Sequence, residues 1–242
     1  MTRDVIDDCI SGGYYVVKMI PRPRDLSGIL PSTLLTVSNC FTTVMCDVIQ
    51  LQWDNYENVS EAIADEAREF GIEQSQIPNL VSWAKAQHNS NYWVFTEVGP
   101  PLELRSQFIG DASARVVGIG LHTSLLGAFE AQLTKDINKG SGLVELVNGK
   151  RPLAEGGSPL GFEPLGFEAT KFHSWLCHYA PDEVYKQFGI RPNQLGLIDN
   201  LEDARRVNDW LIETGAEPAI WEPWLLVEYS ADRETLRLCN QQ

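Results

Sequence analysis

The chain has 242 residues, with 33 acidic side chains against 19 lysines and arginines, so that its formal net charge at pH 7 is −14. A surface of this sign repels phosphate backbones, which excludes nucleic acid as an expected partner and leaves a cationic protein partner or simple solubility as the reason for the charge. Hydrophobic residues make up 43% of the chain, which excludes wholesale disorder, and no run reaches the ~20 apolar residues of a membrane helix, so no membrane contact is expected.

Short strands and helices are predicted in the N-terminal half. β-branched and aromatic residues between glycine and proline predict strands over 14–20, 33–37, 44–53 and 91–98. Helices are predicted over 60–70, where Ser60 can cap the first turn and Gly71 can end the last one, and over 79–87 after Pro78. The early strands indicate an antiparallel meander.

The C-terminal half alternates more evenly between the two kinds of element. Strands are predicted over 115–121, 143–147 and 224–229, and helices over 125–137, 172–179, 181–189 and 201–214. Strands early and mixed elements late predict a single α+β domain over residues 1–242, with a mixed or mostly antiparallel sheet and flanking helices. A glycine-rich segment near 148–160 is the alternative boundary between two packed lobes.

The five cysteines are scattered, and no Cys-x-x-Cys pair predicts a zinc ribbon or a thioredoxin-type site. They are Cys9, Cys40, Cys46, Cys177 and Cys239. The start of the chain is acidic and no apolar segment follows it, so we expect no signal peptide and a cytoplasmic protein. In that reducing compartment the cysteines are expected to be buried thiols, and a disulfide between Cys40 and Cys46 is the alternative.

Residues 172–179, Phe-His-Ser-Trp-Leu-Cys-His-Tyr, hold the densest group of chemically active side chains. On a predicted helix His173 and Cys177 lie one turn apart on one face, as two metal ligands or a nucleophilic thiol and its base would. His178 lies about 100° further round that helix. A structural zinc needs more ligands than these, and Cys177 is far from the helix N-terminus that favours a thiolate. We therefore expect no metal and no cofactor, and the alternative function is a hydrolase or metal-assisted enzyme built on His173, Cys177 and His178.

Common catalytic motifs are not found in the sequence. Gly118-Ile119-Gly120 follows a predicted strand, but Thr123 stands where a dinucleotide-binding loop has its third glycine. No P-loop, zinc-protease or serine-hydrolase motif occurs. Glu163 and Glu168 end two copies of Gly-Phe-Glu, for which a turn or strand feature is expected rather than an acid–base pair.

The acidic side chains near the predicted helix over 60–70 recur at every fourth position. Glu61, Asp65 and Glu69 form this acidic ridge. Like charges at this spacing cost a helix ~0.2–0.5 kcal/mol per pair, which Arg68 relieves only in part. The ridge is either a solvated face or a contact surface for a basic protein, where complementary charge speeds encounter and sets the register of the complex.

Three segments of the C-terminal third carry a resemblance to a known type of protein. Residues 172–177, 188–200 and 217–224 read Phe-His-Ser-Trp-Leu-Cys, Phe-Gly-Ile-Arg-Pro-Asn-Gln-Leu-Gly-Leu-Ile-Asp-Asn and Glu-Pro-Ala-Ile-Trp-Glu-Pro-Trp. In these segments the chain resembles bacterial proteins of the toxin-immunity type. The resemblance implies a cytoplasmic, non-catalytic protein that neutralises a cognate toxin by binding it. Together with the acidic ridge, it predicts an immunity or inhibitor protein with a cationic protein partner.

Overall fold

The computed structural model describes residues 4–26, 28–41, 44–45, 64–87, 94–133, 142–168, 171–178 and 180–230. Within these ranges the chain forms eight α-helices and seven strands. The helices are α1 (Asp4–Asp7), α2 (Ala64–Glu69), α3 (Ile77–Ala86), α4 (Gly99–Gln107), α5 (Leu126–Gln132), α6 (Leu143–Asn148), α7 (Ala180–Phe188) and α8 (Leu201–Glu213). The start of α8 has a clear sequence cause, because the Asn200 side chain accepts a hydrogen bond from the Asp203 amide at 2.9 Å and caps the helix.

Five strands form one strongly curled sheet in which all neighbours are antiparallel. In spatial order they are β1 (Cys9–Lys18), β4 (Ala114–His122), β7 (Ile220–Tyr229), β5 (Ser158–Glu168) and β6 (Lys171–Ser174). The two short strands β2 (Ile20–Pro21) and β3 (Thr33–Leu34) form a separate ribbon. The prediction of an α+β fold with a mostly antiparallel sheet and flanking helices is therefore confirmed.

The sheet buries both of its faces, so its strands carry almost continuous apolar runs. On the first face, side chains of α3, α4, α7 and α8 pack against Trp221, Leu225 and Val227 of β7. On the second face, α5, α6 and residues 35–37 cover Trp224 and Leu226 of the same strand. Trp224 lies at the centre of this second core, where its ring meets Phe129 and Phe172 edge-on at centroid distances of 5.8 and 6.2 Å. The alternation along β7 thus supplies both cores.

Two apolar runs do not form the predicted strands. Residues 143–147 lie in α6, because their buried side chains recur at the i, i+3 and i+4 spacing of a helix face. Residues 94–98 belong to no strand, and among them Phe95 bridges to the sheet through Tyr14. The predicted strand over 44–53 falls largely outside the described residues. The predicted helix over 60–70 is described from residue 64 onward, and α2 covers most of that part.

The predicted helix over 172–179 is wrong, and this correction bears on function. Residues 171–174 form β6, and Trp175–His178 form a short 3₁₀ helix. The neighbouring strand explains the difference, because residues 165–168 of β5 pair with all four residues of β6. The helical spacing that placed His173 and Cys177 on one face therefore does not exist. Nothing in the structure tests the alternative lobe boundary near 148–160, which stays a prediction.

Shortening Trp224 tests how much the second core contributes to stability. The side chain is fully buried between Phe129 and Phe172. We expect Trp224→Ala to lower the free energy of unfolding by ~3–5 kcal/mol, because the lost contacts leave a cavity. Ile212→Ala is the control, since Ile212 is 50% exposed and its removal should change stability by less than about 0.5 kcal/mol. Urea denaturation of both variants measures the difference, and equal losses would contradict the assigned core.

Candidate functional site

Glu163, in the middle of β5, is a carboxylate that has no exposed surface. The β5–β7 register sets Glu163 opposite Trp224, so its side chain enters the second core. Acidic side chains are almost never fully buried unless hydrogen-bonded partners satisfy their oxygens. The partners of Glu163 therefore show which parts of the chain this carboxylate holds in place.

Three donors from two other segments reach the Glu163 carboxylate. The Thr36 hydroxyl donates to Oε1 at 2.5 Å, and the Ser174 hydroxyl donates to the same oxygen at 2.6 Å. The Val37 amide reaches Oε2 at 3.4 Å. Thr36 and Val37 follow β3, whereas Ser174 ends β6. One buried side chain thus joins the chain after β3 to β5 and β6.

Burial and hydrogen bonding have opposite effects on the pKa of Glu163. Burial raises the pKa of Glu163 to about 7, although the hydrogen bonds from Ser174, Thr36 and Val37 favour the charged form. Loss of hydration is thus the larger effect, as expected for a carboxyl in an apolar core. Glu163 therefore changes its charge near neutral pH.

Residues 36–41, which we name the anchored segment, cover the free edge of β6. The Ser38 hydroxyl donates to the Phe172 carbonyl at 3.0 Å, and the Phe172 amide donates to the Asn39 Oδ1 at 3.0 Å. The Ser38 amide in turn donates to the Thr36 hydroxyl, at 3.0 Å. Two side chains therefore satisfy edge groups of β6 that would otherwise be open to another strand. The segment ends in a 3₁₀ helix that contains Cys40.

At the end of the anchored segment, Cys40 lies beside the His173 side chain of β6, and His173 in turn lies beside Glu168 of β5. The Cys40 Sγ lies 3.4 Å from the His173 Nδ1, and the His173 Nε2 lies 3.4 Å from a carboxylate oxygen of Glu168. The Cys177 Sγ lies 3.7 Å from the Ser38 hydroxyl, and its thiol interacts electrostatically with Cys40. We name Cys40, Cys177, His173 and Glu168 the thiol cluster.

The register of β5 and β6 explains why His173 and Glu168 meet. His173 pairs with Gly166, so Glu168 is its diagonal neighbour on the same side of the sheet. Cys40 is exposed, and the side chains of His173 and Glu168 keep 20% and 38% of their surface accessible. An exposed thiol beside an imidazole whose second nitrogen faces a carboxylate has the parts of an activated nucleophile: thiol, base and orienting acid.

Cys177 is the inner thiol of the cluster. Burial raises its pKa to about 12, and a negative charge on Cys40 would add to the rise. Cys177 therefore stays protonated at neutral pH, which disfavours it as the thiol that reacts first. The His173 nitrogen contacts Cys40 instead, a pairing that the sequence analysis did not consider. For His178 only the backbone position in the 3₁₀ helix is described.

The metal alternative at His173 and Cys177 gains no further ligands from the fold. Among the described residues, no group of three or more histidine, cysteine, aspartate or glutamate side chains is arranged to hold a metal ion. The sequence predicts a buried thiol at Cys40, with a disulfide to Cys46 as the alternative. Cys40 is instead a free, exposed thiol, and Cys46 lies outside the described residues.

The acidic ridge is only partly described, since Glu61 lies outside the described residues. Asp65 and Glu69 are both exposed on α2, while Ala67 between them is buried. The Asp65 side chain is 90% exposed and accepts a hydrogen bond from Arg68 at 2.9 Å. Both described members of the ridge therefore face solvent.

A second acidic surface lies on the C-terminal half of α8. Ile212 is the one large apolar side chain that is exposed within the described ranges, and Asp209 and Glu213 beside it are exposed as well. No basic residue lies in the last turn of this helix. Negative charge at a helix C-terminus opposes the helix dipole by ~0.3–1 kcal/mol, so these carboxylates do not serve helix stability.

Replacing Glu163 by glutamine tests the buried carboxyl. The folded-state pKa of about 7 lies above the ordinary value of 4.5, so protonation favours the folded state. That contribution, about 3 kcal/mol at ~1.4 kcal/mol per pKa unit, is present below pH 4.5 and is lost as the pH rises through 7. We expect the free energy of unfolding of Glu163→Gln, measured by chemical denaturation, to depend less on pH over this range than that of the wild type.

The pH dependence that remains in Glu163→Gln is expected to come from Glu222. Burial also raises the pKa of this buried carboxyl to about 7, and it accepts a hydrogen bond from the Gln132 side chain at 2.9 Å. Glu130→Gln is the matched control, because Glu130 is exposed and its replacement should leave the curve unchanged. A wild-type curve that Glu163→Gln does not flatten would contradict the assignment.

Comparison of the chain with protein-family models, with curated proteins and with solved structures gives no match. The resemblance to toxin-immunity proteins therefore stays a prediction. In the described ranges, no helix has the length and apolar composition needed to cross a membrane. Any statement of function accordingly rests on the residues of the chain itself.

Proposed function

We propose that this is a non-catalytic binding protein of the immunity or inhibitor kind, which neutralises a basic partner protein through its acidic surface. The observation that carries the proposal is the solvent exposure of Asp65 and Glu69, two members of the acidic ridge, on a chain of net charge −14. The partner is a cationic protein, such as a toxin, and the protein acts in the cytoplasm without a cofactor.

The charge arrangement supports this proposal through association kinetics. Exposed carboxylates on one face attract a basic partner over about a Debye length, ~8–10 Å at ordinary salt. Such steering raises the association rate and sets the register of docking. Within the described part of the chain Asp65 pairs with the exposed Arg68, so little desolvation is needed before it can exchange this partner for another guanidinium or ammonium group.

The surface of α8 supports the same proposal with a different feature. Protein interfaces combine an apolar centre with a polar rim. Ile212 would be such a centre, and Asp209 and Glu213 would be part of its rim. The two surfaces are separate candidates, so each needs its own variants.

Charge reversal tests the acidic ridge against the rest of the acidic surface. The immobilised protein is used to capture partners from a lysate of the source organism at low and moderate salt. We expect the double change Asp65→Lys and Glu69→Lys to weaken capture of the specific partner by tenfold or more, because like charges across an interface cost several kcal/mol. The corresponding pair on α8, Asp209→Lys and Glu213→Lys, reports on the second surface.

The matched control is the double change Glu130→Lys and Glu145→Lys, which alters the net charge equally at two exposed positions on α5 and α6. Melting curves confirm that all variants are folded. A partner that is lost equally in the control responds to net charge alone. That result, or the recovery of no basic protein, would contradict the proposed function.

A second candidate function is a thiol-dependent hydrolase, because the Cys40 Sγ lies 3.4 Å from the His173 Nδ1. In this version of the alternative, Cys40 takes the place of Cys177 as nucleophile, His173 is the base and Glu168 orients the imidazole. The Cys40 thiolate, having given its proton to His173, would attack the acyl carbon of an ester; the bond to the leaving alcohol breaks, the alcohol takes that proton, and water then hydrolyses the thioester and releases the acid.

An activated nitrophenyl ester tests the hydrolase. We expect an initial burst of one nitrophenol per chain if the thioester forms, and its loss in Cys40→Ser and in His173→Gln. Cys177→Ser should retain the burst, because Cys177 is not the nucleophile. Ester hydrolysis that persists unchanged in Cys40→Ser would contradict the second candidate and would leave the binding function unaffected.

A further inference from the structure

We infer that Cys40 and Cys177 form a reversible disulfide when a hydroperoxide oxidises Cys40, so that the thiol cluster is a redox-sensitive site. This inference depends neither on the acidic surface nor on hydrolase activity. It rests on the contacts that bring two thiols, an imidazole and a hydroxyl to one place on the surface.

Ser38 places the two cysteines next to one another. Its hydroxyl accepts a hydrogen bond from the Cys40 amide at 3.2 Å and lies 3.7 Å from the Cys177 Sγ. Cys177 also interacts electrostatically with Cys40. A disulfide requires Cβ atoms ~3.5–4.5 Å apart, and the shared Ser38 hydroxyl places both cysteines in the same neighbourhood.

The two thiols have unequal roles because their surroundings differ. Cys40 is exposed and can meet a small peroxide, whereas Cys177 is partly buried. The His173 Nδ1, 3.4 Å from the Cys40 Sγ, can accept its proton. Oxidant-sensitive cysteines are accessible, carry thiolate character and have a resolving cysteine nearby. Cys40 therefore reacts first, and Cys177 resolves the product.

The reaction balances in two steps. In the first step, Cys40 gives its proton to His173, and the thiolate attacks one peroxide oxygen; the O–O bond breaks, and the leaving hydroxide takes up that proton as water. Cys40 is then a sulfenic acid. In the second step, the Cys177 sulfur attacks the Cys40 sulfur, the S–O bond breaks, and the departing hydroxide leaves as water with the Cys177 proton. The two sulfurs together lose two electrons, which the two peroxide oxygens gain.

The anchored segment gives the disulfide a structural consequence. Side-chain hydrogen bonds from Ser38 and Asn39 attach this segment to the edge of β6, and Glu163 holds its other end. A bond between Cys40 and Cys177 would make the attachment covalent. Because it closes a long loop of the chain, the oxidised protein should be more resistant to unfolding than the reduced one.

Hydrogen peroxide on the full-length protein tests the inference. After stoichiometric oxidation under native conditions, we expect the loss of two thiols per chain and a digest that yields a peptide pair linking Cys40 to Cys177. A thiol reductant should restore both thiols, and the melting temperature should rise on oxidation. Cys9 is the internal control, because it is buried and burial raises its pKa to about 12, so it should stay reduced.

Single variants separate the two roles. In Cys177→Ser, oxidation should stop at a sulfenic acid on Cys40, which dimedone traps. In Cys40→Ser, Cys177 should stay a thiol under the same conditions. Melting curves of the reduced variants show whether each one is folded, and dimedone trapping on the wild-type protein gives the identity of the first oxidised sulfur even if one variant is not. Linkage of other cysteines, oxidation of Cys40 without linkage in the wild type, or equal loss of Cys177 in Cys40→Ser would overturn the inference.

Discussion

The hydrogen bonds to Glu163 are the constraint on which the rest of the site depends. A carboxyl without exposed surface would cost several kcal/mol if its oxygens had no partners. Thr36, Val37 and Ser174 supply these partners from segments that are far apart in the chain. The fold can therefore bury Glu163 only when the chain after β3 lies against β5 and β6. The free-energy cost of burying this carboxyl thus specifies a tertiary contact.

That contact both protects the sheet and builds the thiol cluster. The anchored segment covers the edge of β6 with the side chains of Ser38 and Asn39, which keeps the edge from pairing with another chain. The same placement brings Cys40 to His173 and Cys177. The same segment thus protects the edge of β6 and carries Cys40. A change of charge at Glu163 would alter the hydrogen bonds that hold one end of this segment. The acidic surfaces on α2 and α8 lie on helices and do not depend on this arrangement.

Local patterns in the sequence predict the helices and strands that depend on interactions between residues near in sequence. The cap at Asn200 and the apolar spacing that follows it predict α8, and the apolar run that ends at Tyr229 predicts most of β7. The thiol cluster depends instead on pairing between distant residues: Cys40 and His173 are 133 positions apart, and Thr36 and Glu163 are 127 apart. Residues 172–179 look helical in isolation, and only pairing with β5 makes their first part a strand. The repeated Gly-Phe-Glu is the one local pattern that bears on the site. Its two glutamates are five residues apart on one strand, so they face opposite sides of the sheet.

The protonation of Glu163 can be observed directly by infrared spectroscopy. A buried, protonated carboxyl gives a carbonyl stretching band that ionisation removes, and Glu163→Gln identifies which band belongs to this residue. With Glu163 fully buried beneath the anchored segment, the band should disappear with a midpoint near pH 7. A Glu163 band that instead titrates near the ordinary value of 4.5 would show a solvated side chain, and would contradict the buried contact on which the thiol cluster is built.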